Sequence, residues 1–246
     1  MSTPDSPSSL TPDDISAITG NLDEVADRSR AAAESSGRSS DDVRVLLATK
    51  TQPAEKIRVA LEHGFTLIGE NKVQEIVGKA EALTDLNPET HLIGPLQRNK
   101  VNHTLRHAQC IQSVDNLALA EKINNRLDVL NETVDYFIQV NTSREDSKFG
   151  VDPEDAEELI TATRELGRMR LRGLMTIGLP GSSPEEIRPS YSDLRGLSEK
   201  LRGSGVMPAE ATELSMGMSN DFELAIAEGA TTVRVGSSIF GARDYS

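Results

Sequence analysis

Lys50 stands near the end of the stretch VRVLLATKTQP. The run from Val43 to Ala48 is apolar apart from Arg44, and Pro53 opens a new segment shortly after the lysine. A strand-end lysine is commonly a solvated surface charge. Its reactive form is the neutral amine, which attacks a carbonyl carbon to give a Schiff base. At an ordinary pKa of about 10.4 little of that form exists at neutral pH, and burial or a neighbouring cation raises its share. A second chemical signal lies far along the chain. The segments ELSMGMSNDF and VRVGSSIFG each place Gly and Ser just before a helical pattern. Small residues there let backbone N–H groups approach a phosphate, and a helix start adds positive potential. A GSS turn alone is ordinary turn chemistry. A lysine paired with a phosphate cup fits a phosphorylated aldehyde, either pyridoxal 5′-phosphate (PLP) or a sugar phosphate. Arg234 lies two residues before Gly236 on the same strand, so both face the same way. It is placed either to reach a pyridine nitrogen or to form a strand-end ion pair with Glu213 or Glu223.

These residues need a scaffold that gathers distant segments at one rim. Eight short apolar runs supply it: 43–49, 65–69, 91–94, 110–114, 134–140, 171–177, 212–216 and 232–236. Each is too short for a helix and rich in β-branched or aliphatic residues. Helical patterns separate them. PAEKIRVALEHG opens on Pro53, closes on Gly64 and puts Ala54, Ile57, Ala60 and Leu61 on one face. Asn71 followed by Gln74 resembles a capping box ahead of the apolar face Val73, Ile76, Val77 and Ala80. NDFELAIAEG sets Asn220 at an N-cap. Eight strands alternating with helices predict an α/β fold with a parallel sheet, and eight is the number that closes a (β/α)8 TIM barrel. An open doubly wound sheet ranks second, because no G-x-G-x-x-G turn follows the first strand. Residues 11–36 predict an extra N-terminal helix, and the Ser/Pro-rich residues 1–10 a disordered tail. The domain reading is a tail over 1–10 and one barrel domain over 11–246. Barrel chemistry sits where strands meet the loops that follow them. Those strand ends deliver Lys50, Glu70, Asn71, Gly94, Gln97, Asn99, Ser113, Asn141, Met175, Thr176 and the two Ser/Gly loops.

Composition narrows the function. The 246 residues carry 26 Lys and Arg against 39 Asp and Glu, a net charge of −13. Such a field repels a phosphate-rich polymer and argues against a general nucleic-acid binder, while a small anion can still bind in a locally positive pocket. Cys110 is the single cysteine. It forms no internal disulfide and points to a reducing, cytoplasmic compartment. The N-terminus has no signal-peptide pattern, and no apolar run approaches the ~18 residues of a membrane span.

At this point the chain resembles the pyridoxal phosphate homeostasis proteins. The matching stretches are LLATKTQP, IGENKVQE, HLIGPLQRNK, SVD, FIQVNTSREDSKFG, LRGLMTI and ELSMGMSNDFELAIAEGATTVRVGSSIFG, which together span roughly residues 43–241. The resemblance implies a barrel of the alanine-racemase N-terminal-domain type, standing alone, with PLP held as a lysine aldimine. It makes Lys50 the Schiff-base lysine and Arg234 the arginine facing the pyridine nitrogen. Ser215, Gly236 and Ser237 become the phosphate cup. Asn71 falls near the cofactor, where it is also a candidate N-cap. Met175 falls by the ring, where it is also a candidate core residue. The chain departs from the family pattern at Lys72, where an aromatic residue is common, and at Thr90, where Trp is common. Both departures remove packing surface near the rim.

A charged arginine leaves the pyridine nitrogen unprotonated and the ring a poorer electron sink. Alanine racemases take a catalytic tyrosine from a second β domain. This chain ends just after the barrel, and Tyr136, Tyr191 and Tyr245 fall outside the rim loops. The expectation is therefore a non-catalytic, monomeric PLP carrier with an open mouth, passing PLP to apo forms of PLP-dependent enzymes. The alternative is a weak PLP-dependent amino-acid racemase whose missing acid comes from a partner subunit. A third reading, a sugar-phosphate enzyme working through Lys50, fits the SMGMS and VRVG loops least.

Overall fold

Short apolar runs separated by helices leave each strand covered on both faces, and that is how they fold. The computed structural model describes residues 10–144, 149–179 and 183–241. Its strands are β1 (Arg44–Ala48), β2 (Leu67–Glu70), β3 (Glu89–Leu92), β4 (Cys110–Val114), β5 (Val134–Gln139), β6 (Met169–Met175), β7 (Glu213–Met218) and β8 (Thr232–Val235). They are parallel, lie in sequence order and close into a barrel through the β1–β8 pairing. All eight predicted runs become strands. The tail expected over 1–10 falls, apart from Leu10, outside the described residues.

The surrounding helices are α1 (Pro12–Ser35), α2 (Ala54–Glu62), α3 (Val73–Leu83), α4 (Val101–Thr104), α5 (Leu117–Leu130), α6 (Ala156–Arg164), α7 (Pro184–Gly203), α8 (Phe222–Ala227) and α9 (Ser237–Phe240). Two predicted caps differ. At α3 the N-cap position falls to Lys72, with no side-chain cap bond, so Asn71 does not cap it. At α8 the N-cap position falls to Asp221 rather than Asn220. The Asp221 carboxylate instead accepts from the Met218 N–H at 2.6 Å and closes the loop after β7.

β2, β4 and β8 are buried along their whole length. That is the pattern of parallel strands lined by helices outside and by packed side chains inside. Polar residues in such strands need partners within the barrel, because an unpaired buried polar group costs roughly 1–3 kcal/mol.

The extra helix α1 has a local reason and a distant use. Thr11 and Asp14 form a capping box, Pro12 occupies the first turn, and Ile18, Leu22, Val25 and Ala33 make the buried face. That face packs on α2, α8 and α9. Arg28 pairs with Glu223 at 2.7 Å and lies 4.8 Å over the Phe222 ring. Asn21 donates to the Ile239 carbonyl at 2.9 Å, and Arg38 donates to the Ile226 and Ala230 carbonyls. Arg28 and Asn21 reach the segments that follow β7 and β8, so α1 braces the two Ser/Gly loops from behind, while Arg38, just beyond α1, ties the end of α8 to the residues ahead of β8. Among the described residues no helix is long and apolar enough to cross a membrane.

Candidate functional site

The seven residues singled out from the sequence fall on one arc of adjacent strands. Met175 ends β6, Ser215 lies in β7, Arg234 in β8 with Gly236 and Ser237 just beyond it, Lys50 follows β1, and Asn71 follows β2. Register aligns them. Met175 is level with Ser215, and Ala48 is level with Gly69. Lys50 and Asn71 each lie two residues beyond that last pair, just past the ends of β1 and β2. Both are half-buried at the mouth.

The turn carrying Lys50 is held from the helix side. Lys79 on α3 donates to the Thr49 carbonyl at 2.9 Å, to Glu70 Oε1 at 2.8 Å and to Glu75 Oε2 at 3.1 Å. Glu75 also accepts the Thr51 N–H at 2.7 Å. Thr51 has φ of 65°. A β-branched residue rarely adopts that left-handed conformation, so the turn stores strain immediately after Lys50. Glu70 accepts from the Thr49 hydroxyl at 2.6 Å, and its Oε2 has no hydrogen-bond partner. Burial pushes its pKa up to about 7, against the opposing pull of Lys79 and Thr49. That value lies above the ordinary 4.5, so the fold favours the protonated acid. This contribution to stability is whole below about pH 4.5 and is lost as pH rises through about 7. Glu70→Gln, which cannot ionise, is expected to flatten the melting temperature between about pH 5 and 8 relative to the native protein. Parallel melting curves against pH by circular dichroism would contradict this.

Arg234 is buried inside the barrel at 6% exposure. Its Nη1 donates to Ser215 Oγ at 2.9 Å and its Nη2 to the Thr176 carbonyl at 2.7 Å. Neither partner is a carboxylate. The strand-end ion pair considered for it does not form, since Glu213 pairs with Arg172 and Glu223 with Arg28. Burial pulls the guanidinium below the usual arginine range, while Tyr191 and Asp221 act the other way.

Ser215, expected in the phosphate cup, has two side-chain partners inside the barrel. Its hydroxyl is fully buried, accepts from Arg234, and donates its only proton to Gln112 Oε1 at 2.6 Å across the barrel. Gln112 Nε2 in turn faces His91 Nδ1 at 2.7 Å, and His91 Nε2 faces Glu89 Oε1 at 2.8 Å. Glu89 pairs with Arg44 at the opposite end of the barrel. The pairing of Gln112 with His91 is invisible to motif reading, because the two lie on different strands and meet only when the barrel forms.

The loops after β7 and β8 are tied through Ser219. Its hydroxyl accepts the Gly236 N–H at 3.1 Å, and its carbonyl accepts the Ser238 hydroxyl at 3.3 Å. The signal for Ser219 was its place in ELSMGMSNDF, the same stretch that holds Ser215. Ser237 and Ser238 open α9, so their N–H groups have no partner four residues earlier in the helix. Gly236 is explained by close approach. A Cβ there would lie 2.7 Å from the Ala48 carbonyl oxygen and 3.3 Å from the Ala48 Cβ. Glycine thus lets β8 press against β1 just below Lys50.

Met175 is fully buried in a small cluster with Cys110, Phe137 and the partly buried Ile177, separate from the main core. It serves as apolar packing directly beside Ser215. Burial pushes the Cys110 thiol well above its ordinary pKa. Tyr191 comes closer to the site than its sequence position suggested. Its ring lies against Gly178, just beyond β6, and its buried hydroxyl has no hydrogen-bond partner. Burial raises its pKa, and Asp221 adds to the shift. Thr90, one of the departures, lies away from the rim. It lines a cavity of about 180 Å³ behind β2, together with Ile68, Ile76 and Leu83. Tyr245 and Lys148 fall outside the described residues.

Comparison with known proteins agrees with this architecture. The family "Alanine racemase, N-terminal domain" matches residues 18–244. The pyridoxal phosphate homeostasis protein of Aquifex aeolicus is 42% identical over 91% of this chain and 97% of its own. PipY of Synechococcus elongatus, solved with PLP bound, is 32% identical with a TM-score of 0.79, covering 91% of this chain and all of PipY. Alanine racemase of Clostridium difficile shares the fold, with a TM-score of 0.73 at 15% identity over 96% of this chain and 61% of its own. From its barrel, its arc of strand-end residues and its relatives, the chain belongs to the pyridoxal phosphate homeostasis protein family.

Proposed function

We propose that this chain binds PLP through Lys50 at the barrel mouth and acts in intracellular PLP homeostasis, holding and releasing the cofactor without robust catalysis. The observation that carries the reading is Arg234. A buried guanidinium with two hydrogen bonds, neither to a carboxylate, suits an uncharged ring nitrogen as a further acceptor. Lys50, Asn71 and the β7–β8 loops stand on the strands around it. When bound, PLP supplies an aldehyde whose carbon the Lys50 amine joins with loss of one water.

The remaining residues have distinct tasks. The N–H groups of Ser237 and Ser238 are placed to donate to the phosphate, and Ser219 fixes the loop that presents them. Ser215 orients Arg234 rather than contacting phosphate. Met175 and Phe137 provide an apolar floor, and Asn71 flanks Lys50. Arg234 only donates hydrogen bonds, so it keeps the ring nitrogen unprotonated and the ring a weak electron sink. That favours storage over racemisation, as does the name carried by the relatives. The reading extends to a monomeric, cytoplasmic carrier whose acceptors are apo PLP-dependent enzymes.

The test is an absorbance spectrum of the PLP-loaded protein before and after borohydride reduction, with peptide mapping of the adduct. A visible band that reduction removes, with the adduct on the peptide containing Lys50, is expected. An adduct on Lys72 or Lys100 would move the site.

A further inference from the structure

Arg234 is the first member of a hydrogen-bonded row that crosses the barrel interior. The row runs Arg234, Ser215, Gln112, His91, Glu89, with contacts of 2.9, 2.6, 2.7 and 2.8 Å. Ser215 and Gln112 are fully buried and His91 nearly so. Glu89 and its partner Arg44 are partly exposed at the strand starts, on the face opposite the mouth.

The two ends give the row a direction. A guanidinium can only donate, and an ionised carboxylate can only accept. Ser215 therefore accepts from Arg234 and donates to the Gln112 oxygen. The Gln112 amide then donates to His91 Nδ1, and His91 Nε2–H donates to Glu89. This order requires a neutral His91 with its proton on Nε2. A second proton on Nδ1 would face the Gln112 N–H, donor against donor. The conflict is relieved if the Gln112 amide turns over. Its N–H then donates to Ser215, and the Ser215 proton has to leave Gln112.

We propose that His91 and Gln112 are positioning residues for Arg234, so that the protonation state of His91 near the floor of the barrel is relayed to the guanidinium at the mouth. The proposal rests on the reading that Arg234 faces the ring of bound PLP. The charged and titratable groups around the floor are Glu89 on β3, Arg44 on β1, Cys110 on β4, Asp135 on β5, Arg172 on β6 and Glu213 on β7. At the other end, Tyr191 and Asp221 act on Arg234. Glu89, already paired with Arg44, is the direct partner of the His91 proton.

His91→Gln is the informative substitution, because its amide can accept from Gln112 and donate to Glu89 but cannot titrate. Two measurements decide. In the protein without PLP, nitrogen NMR of the His91 ring should show the neutral Nε2–H form at pH 8 and report its titration. In the loaded protein, the PLP dissociation rate and band position should change with the same midpoint, the rate by about fivefold, the order of one rearranged buried hydrogen bond. His91→Gln should abolish that pH-dependent component, and Gln112→Met should uncouple it while His91 still titrates. Nδ1 protonation at pH 8 in the unloaded protein would overturn the row's direction. An unchanged pH dependence in His91→Gln would overturn the relay. Failure of PLP to attach at Lys50 appears instead in the adduct map and leaves the NMR result standing.

Discussion

Lys50→Ala is expected to abolish the visible band of the PLP-loaded protein while leaving the barrel folded. Lys50 follows β1 on a turn whose shape is set by its neighbours: the Thr49 carbonyl is held by Lys79 and the Thr51 N–H by Glu75. Truncating the side chain leaves both ties in place and opens no core cavity. The melting temperature should therefore move by no more than about 2 °C, the effect of a rim substitution worth ~0.5 kcal/mol in a domain of this size. Residual PLP bound to the variant should be non-covalent and washed out on gel filtration. A visible band that survives, with borohydride trapping at Lys72 or Lys100, would assign the amine elsewhere.

Gly236→Val is expected to lose PLP and pyridoxal together. Sequence reasoning places Gly236 against the phosphate, which predicts selective loss of the phosphorylated form. The structure puts its missing Cβ against the Ala48 carbonyl instead, at 2.7 Å. Backbone cannot turn aside as a flexible side chain can, so β1 must shift, and Lys50 shifts with it. Overpacking of this kind typically costs about 1–3 kcal/mol, and here it should appear both as a lower melting temperature and as weaker binding of either ligand. Calorimetric titration with PLP and with pyridoxal checks it. Loss confined to PLP would restore the phosphate as the reason for the glycine.

These two residues show what the sequence reveals and where it stops. The eight strands are legible because each is a short aliphatic run bounded by helical patterns. The arc follows from them, since residues just beyond strand ends must share one rim. Residue identity says less about which way a hydrogen bond runs. The family resemblance makes Ser215 part of a phosphate cup. In the structure its hydroxyl donates to Gln112, 103 positions away, a partner brought near only by closure of the barrel. Asn71 reads as an N-cap because Gln74 follows it, but α3 begins with Lys72 in the cap position. Tyr191 reads as a residue outside the rim loops, yet α7 sets its ring against Gly178, just beyond β6.

The central claim, that this barrel holds PLP without driving robust chemistry on amino acids, is tested most directly by α-proton exchange. PLP-loaded protein would be incubated in deuterium oxide with L-alanine and, separately, D-alanine, and α-deuteration followed by NMR over many hours. Arg234 keeping the ring nitrogen unprotonated predicts exchange no faster than that given by free PLP at the same concentration. Rapid exchange with interconversion of the two enantiomers, lost in Lys50→Ala, would contradict the account and identify a racemase.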